Sequence, residues 1–195
     1  MPLGANKAAI MGVAGVSTGD VVLLDTQTAS NSASLSFTSG ITSTYGQYIF
    51  KFYNINPATD NVQFSFQANA TDSTSYDETI TSTAFRASHS EADATALGYL
   101  TAQDQAQGTA YQMLGDGWGN GSDESGAGEL HLFNPSSTTF VKYFAARVAF
   151  YHSADSAFVN HVSGYFNTTT AIDDIQFKMS SGNFDGKIKL WGIKA

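Results

Sequence analysis

The sequence has no cysteine. That removes disulfides, thiolate metal sites and a cysteine nucleophile from consideration. Charge is scarce as well: Asp, Glu, Lys and Arg make up 13% of the 195 residues, about half the usual share. The nine Lys and Arg residues are scattered through a chain of net charge −8, which argues against a nucleic-acid partner. No apolar run approaches the roughly 18 residues of a membrane-crossing helix, so no membrane partner is expected. Heptad runs are missing, which excludes assembly through a coiled coil. No internal repeat of solenoid or propeller length is present.

What the chain does contain is aromatic and polar. Phe, Trp and Tyr supply 13% of residues, and Ser plus Thr contribute about a fifth, a composition too aromatic for disorder. Residues 1–19 stand apart, being small, Gly/Ala-rich and free of aromatics, with Lys7 as their one charge. They lack the basic start and compact apolar core of a signal peptide. They are expected to form a short N-terminal docking arm, with Leu3, Ile10, Met11, Val13 and Val16 as its apolar contacts.

From Val21 onward the hydrophobic period is two. Val62, Phe64 and Phe66 alternate with Gln63, Ser65 and Gln67, the pattern of a half-buried strand. Tyr48, Phe50 and Phe52 share one face, and Leu35 and Phe37 alternate with Ser34 and Ser36. Further strands are expected at 21–24, 79–86, 130–133, 139–152, 158–166, 172–179 and 187–193. Turn signals fall at Asn54-Ile55-Asn56-Pro57, Asn134-Pro135-Ser136, Ser181-Gly182-Asn183 and Asp185-Gly186. Such spacing predicts an all-β domain over residues 20–195, an antiparallel β-sandwich of jelly-roll type with its first and last strands side by side. Residues 91–114 break the pattern, and 92–100 has the composition of a short helix or a long crossing. The stretch 115–129, GDGWGNGSDESGAGE, reads as loop.

Candidate chemistry is thin. Asp116, Asn120, Asp123, Glu124 and Glu129 offer hard oxygen ligands, but Trp118 occupies a position where a calcium-binding loop needs an oxygen. No metal and no cofactor is therefore expected, and the loop reads as a solvated hairpin tip. His89, His131, His152 and His161 are available as bases, yet no G-x-S-x-G elbow accompanies them. His131 and His161 fall in alternating strands, where polar faces suit them. Asp173 and Asp174 are adjacent, so a strand sends them to opposite faces and they cannot form a glycosidase pair. No catalytic residues emerge, and a non-enzymatic protein is expected. Trp118 is the aromatic expected to be exposed. With Asp116, Asn120 and Asp123 it forms a candidate ligand-binding group, where an indole stacks on a sugar face; Tyr76, Tyr99 and Tyr111 are further candidates. Tyr48, Phe50, Phe64, Phe66, Phe144, Phe150, Phe166 and Phe177 are expected in the core.

Four segments carry a family likeness: YIFKFYNINP (Tyr48–Pro57), FNPSST (Phe133–Thr138), GYFNTTTAIDDIQF (Gly164–Phe177) and GKIKLWGI (Gly186–Ile193). Together with TAFRA and YLTAQDQAQGTAYQMLGDGWGN they resemble a group of jelly-roll-like proteins encoded by marine tailed bacteriophages. The resemblance spares the arm and implies a virion structural protein, of head-decoration or tail-fibre type, with no catalytic residues to carry over. It implies location on the virion and capsid or tail proteins as partners.

The expected function is accordingly a non-enzymatic structural protein of a tailed-phage virion surface, either a head-decoration protein or a small module of tail or fibre. Low charge and abundant uncharged polar groups suit a surface that tiles against copies of itself. A homo-oligomer is expected, with a trimer as the choice the resemblance implies. The alternative is a carbohydrate-binding, receptor-recognition module at a tail tip, reading a host-surface glycan through Trp118.

Overall fold

The computed structural model describes residues 20–194, all of them in strands or their connections. The arm residues Leu3, Ile10, Met11, Val13 and Val16 lie outside the described residues. Thirteen strands follow one another: β1 (Val21–Ser32), β2 (Ser34–Phe37), β3 (Gln47–Pro57), β4 (Val62–Ala70), β5 (Ile80–Ser90), β6 (Thr95–Tyr99), β7 (Ala106–Gly108), β8 (Gln112–Trp118), β9 (Gly126–Phe133), β10 (Lys142–His152), β11 (Ser156–Phe166), β12 (Ile172–Met179) and β13 (Phe184–Ile193). Every pairing is antiparallel.

A wide part of the sheet runs β1-β13-β3-β9-β10-β11-β5, with β6 and β7 both on the far edge of β5. A narrow part runs β8-β4-β12-β2. A single register pair, His152 with Trp118, joins β10 to β8 and makes the two parts continuous. The whole reads as one antiparallel sheet curled into a nearly closed barrel around its core. The terminal strands pair as expected, Val21 opposite Ile193 and Leu23 opposite Trp191.

The alternation in the sequence explains the core. Even-numbered residues of β3 and β13 face inward, so Tyr48, Phe50, Phe52, Ile188 and Leu190 are fully buried. Odd-numbered Phe37 and Phe177 meet them from the narrow part. Phe177 is the hub: its ring centroid lies 5.3 Å from Phe50, 5.3 Å from Phe52, 6.1 Å from Phe64 and 6.2 Å from both Phe37 and Phe66. Edge-to-face rings at such separations add stability beyond the area they bury. All eight aromatics expected in the core are there.

Three expectations need correction. Residues 92–100 form no helix: Thr95–Tyr99 is β6, an exposed edge strand paired to β5. Ala-rich composition favours helix only weakly, and the open edge of β5 overrides it. The expected loop 115–129 begins within β8 and ends within β9, leaving 119–125 as the connection. Finally, Asn54–Pro57 and Asp185-Gly186 are not turns. They mark bulges inside β3 and β13, with register shifts between Phe52 and Ile55 and between Asp185 and Lys187. Asn54 (φ 50°) and Gly186 (φ 137°) supply the left-handed backbone that these kinks need. Asn134 (φ 47°) and Gly182 (φ 71°) do lie in connections, as expected.

Candidate functional site: the outer face of the wide sheet

The group proposed around Trp118 does not form an exposed platform. Trp118 is only 1% exposed. It ends β8 at the seam between the wide and narrow parts, where its ring stacks on Phe150 at 4.6 Å and 2° and meets Phe64 at 5.4 Å. The glycines around it admit the indole. A Cβ on Gly115 would stand 2.6 Å from Trp118 Nε1, and one on Gly126 would enter the six-membered ring. The run GDGWGNG reads as a loop because glycine is the usual mark of turns; here it marks close packing on a bulky ring.

The polar members of the group disperse. Asp116 flanks His152, whose ring is held below the ordinary imidazole range chiefly by burial and then by the Arg86 guanidinium, with Asp116 and Asp60 opposing. Asn120 donates to the Ala58 carbonyl at 3.3 Å, and Asp123 stands exposed in the 119–125 connection. That connection is closed by its own bonds: the Glu124 carboxylate accepts from Gly121 N–H at 2.8 Å, and Asn56 Nδ2 donates to the carbonyls of Gly121 and Glu124. Among the described residues no group of three or more His, Asp or Glu side chains is arranged to hold a metal.

The richest arrangement lies elsewhere. Register pairs align outward side chains into rows across the wide sheet. The first row reads Lys189 (β13), Lys51 (β3), Glu129 (β9), Arg147 (β10), His161 (β11), Phe85 (β5) and Tyr99 (β6). A second row, two residues along each strand, reads Trp191, Ile49, His131, Ala145, Ser163 and Thr83. A third reads Val21, Ile193, Gln47 and Phe133, and continues with Tyr143, Tyr165 and Thr81. His131 and His161 therefore both point to the outer side of the sheet, on a face that mixes charged and apolar residues.

Local contacts order these rows. Glu129 lies 3.8 Å from Lys51 Nζ and 3.3 Å from His131 Nε2. The Gln47 amide donates to His131 Nδ1 at 2.7 Å, which leaves Nε2 to carry its proton toward Glu129. His161 stacks face to face on Phe85 at 4.8 Å and 5°. Tyr143 and Tyr165 meet at 6.0 Å beside a groove of about 330 Å³ lined by Thr81, Ala145, Ser163 and Gly164.

Among the described residues nine large hydrophobic side chains are exposed, and eight of them belong to this face: Val21, Leu23, Tyr53, Phe85, Leu97, Tyr99, Phe133 and Tyr143. The ninth, Phe140, projects from a connection. The sequence reading missed the face because its members are spread from Val21 to Ile193 and form no linear motif. Their one signal was parity, since they occupy the outward positions of the period-two runs.

Compared with known proteins, the chain matches no family model, and no curated protein or solved structure proves similar to it.

Proposed function

We propose that the chain is a non-enzymatic structural protein of a tailed-phage virion surface, a head-decoration protein or a small tail or fibre module, and that it assembles through the outer face of the wide sheet. The observation that carries this reading is the collection on one face of eight of the nine large hydrophobics exposed among the described residues. Exposed aromatic and aliphatic side chains gathered on one face are typical of contact sites, where Tyr, Phe and Trp anchor the centre. The third row, from Val21 and Phe133 to Tyr143 and Tyr165, supplies the anchors, and a second copy of the chain is the first partner it suits. A jelly-roll order of the strands belongs to the same proposal; the pairing of the first and last strands supports it. A trimer, and capsid or tail proteins as further partners, follow from the resemblance of the sequence.

The reading of a glycan through Trp118 loses its platform, because that ring is buried. Sedimentation of the full-length protein tests the assembly proposal. An oligomer is expected, and Phe133→Asp with Tyr143→Asp should convert it to a folded monomer. A monomer at high concentration in the unmodified protein, or absence of the chain from purified particles by mass spectrometry, overturns the proposal.

A further inference from the structure

We propose that the first row, from Lys189 through Lys51 and Arg147 to the stacked His161–Phe85 pair, binds an extended acidic polysaccharide laid across the strands. The inference does not rest on the assembly reading: although Tyr53, Phe85 and Tyr99 share the same sheet face, the row lies four residues, about 13 Å, along the strands from the third row that supplies the assembly anchors.

Charge gives the first argument. The chain is net −8, yet this row and the adjoining pair Lys187–Tyr53 carry Lys51, Arg147, Lys187 and Lys189 against one carboxylate, Glu129. Glu129 is already engaged by Lys51 and His131. Among the described residues no carboxylate comes within ion-pair distance of Arg147, Lys187 or Lys189. A cationic strip on an acidic molecule attracts polyanions and holds them in a salt-dependent way.

Shape gives the second. Three shallow grooves lie end to end along the row. The first, about 390 Å³, is bordered by Lys187, Lys189 and Tyr53. The second, about 240 Å³, shares Tyr53 and reaches Arg147. The third, about 260 Å³, shares Glu129 and Arg147 and ends at His161 and Phe85. A continuous track fits a chain molecule better than a compact ligand.

Periodicity and stacking give the third. Successive side chains of the row repeat at the strand spacing of about 4.8 Å, which is commensurate with the advance of one pyranose ring along an extended polysaccharide. Phe85, backed on one face by His161 and 46% exposed, and Tyr99, 54% exposed beside it on the next strand, offer aromatic surface for the apolar face of a sugar. An acidic peptide meets the charge but has no ring to set against Phe85 and Tyr99, so the observations favour the sugar polymer.

The test is calorimetric titration of the full-length protein with three probes: alginate oligomers, poly-glutamate of matched length and charge, and neutral dextran. Alginate should bind, more weakly as salt rises, and dextran should not. Arg147→Gln and Phe85→Ala should each weaken alginate binding about fivefold, the scale of an exposed ionic or stacking contact. Lys194→Gln, beyond the end of β13, should leave it unchanged, and all three variants should keep the wild-type Tm. Absence of alginate binding at low salt overturns the proposal. So does poly-glutamate binding as tightly as alginate with Phe85→Ala without effect, or equal weakening by Lys194→Gln.

Discussion

Trp118→Ala is the perturbation that most directly weighs the packing against the glycine-rich appearance of the segment. The indole is 1% exposed and is sandwiched at the seam by Phe150, Phe64 and the bare backbones of Gly115 and Gly126. Truncation leaves a large cavity walled by the Phe150 and Phe64 rings. Large-to-small aromatic substitutions in such cores cost about 3–5 kcal/mol. In a domain of this size that lowers Tm by roughly 6–20 °C. Trp118→Phe should cost far less, at most about 1.5 kcal/mol, because it keeps a ring on Phe150 and removes an indole N–H that has no hydrogen-bond partner. Urea unfolding followed by far-ultraviolet circular dichroism measures both. A loss below about 0.5 kcal/mol for Trp118→Ala, the range of an exposed position, refutes the packing argument.

Two further outcomes follow from the same corner. Gly126→Ala drives a methyl into the Trp118 ring and should destabilise by about 1–3 kcal/mol; combined with Trp118→Phe, which vacates part of that space, the two should be non-additive by at least 0.5 kcal/mol or so in a double-mutant cycle. For His152, burial and Arg86 lower the pKa from 6.5, and Nδ1 accepts the Ala154 N–H at 3.0 Å. The unfolded chain therefore takes up the proton first, so stability is fully present above the unfolded value and falls as pH drops from 6.5 toward the lower folded value. Urea midpoints between pH 7.5 and about 5 should decline in the wild type and flatten in His152→Gln; identical slopes would discount the residue.

Much of the architecture was legible because a period of two is a direct record of inside and outside. Phe50 and Phe52, Phe64 and Phe66, and Phe177 all declared their faces in the sequence. What misled were residues whose local habit differs from their tertiary use. Asn54 and Gly186 are turn formers that here bend strands in place, and the glycines of 115–126 accommodate a neighbour's bulk. Ala96 and Leu97 favour helix weakly but sit on β6, held by the β5 edge alone. The functional face was hidden for another reason. Lys51, Arg147 and Lys189 become neighbours only through the order β13-β3-β9-β10, which no single stretch of sequence encodes.

The pairing of β1 with β13 also sets how the domain answers force. Asp20 and Lys194 are joined by a backbone hydrogen bond of 3.0 Å, and the ladder runs antiparallel from there. Tension drawing those two ends apart loads the bonds one after another, as a zipper opens, and peels β1 from the edge. Tension between residue 20 and the opposite edge at β5 instead crosses the ladders of the intervening strands and strains many bonds at once. The same domain is thus compliant in one direction and stiff in the other, and the point at which it is anchored decides which of the two a load meets.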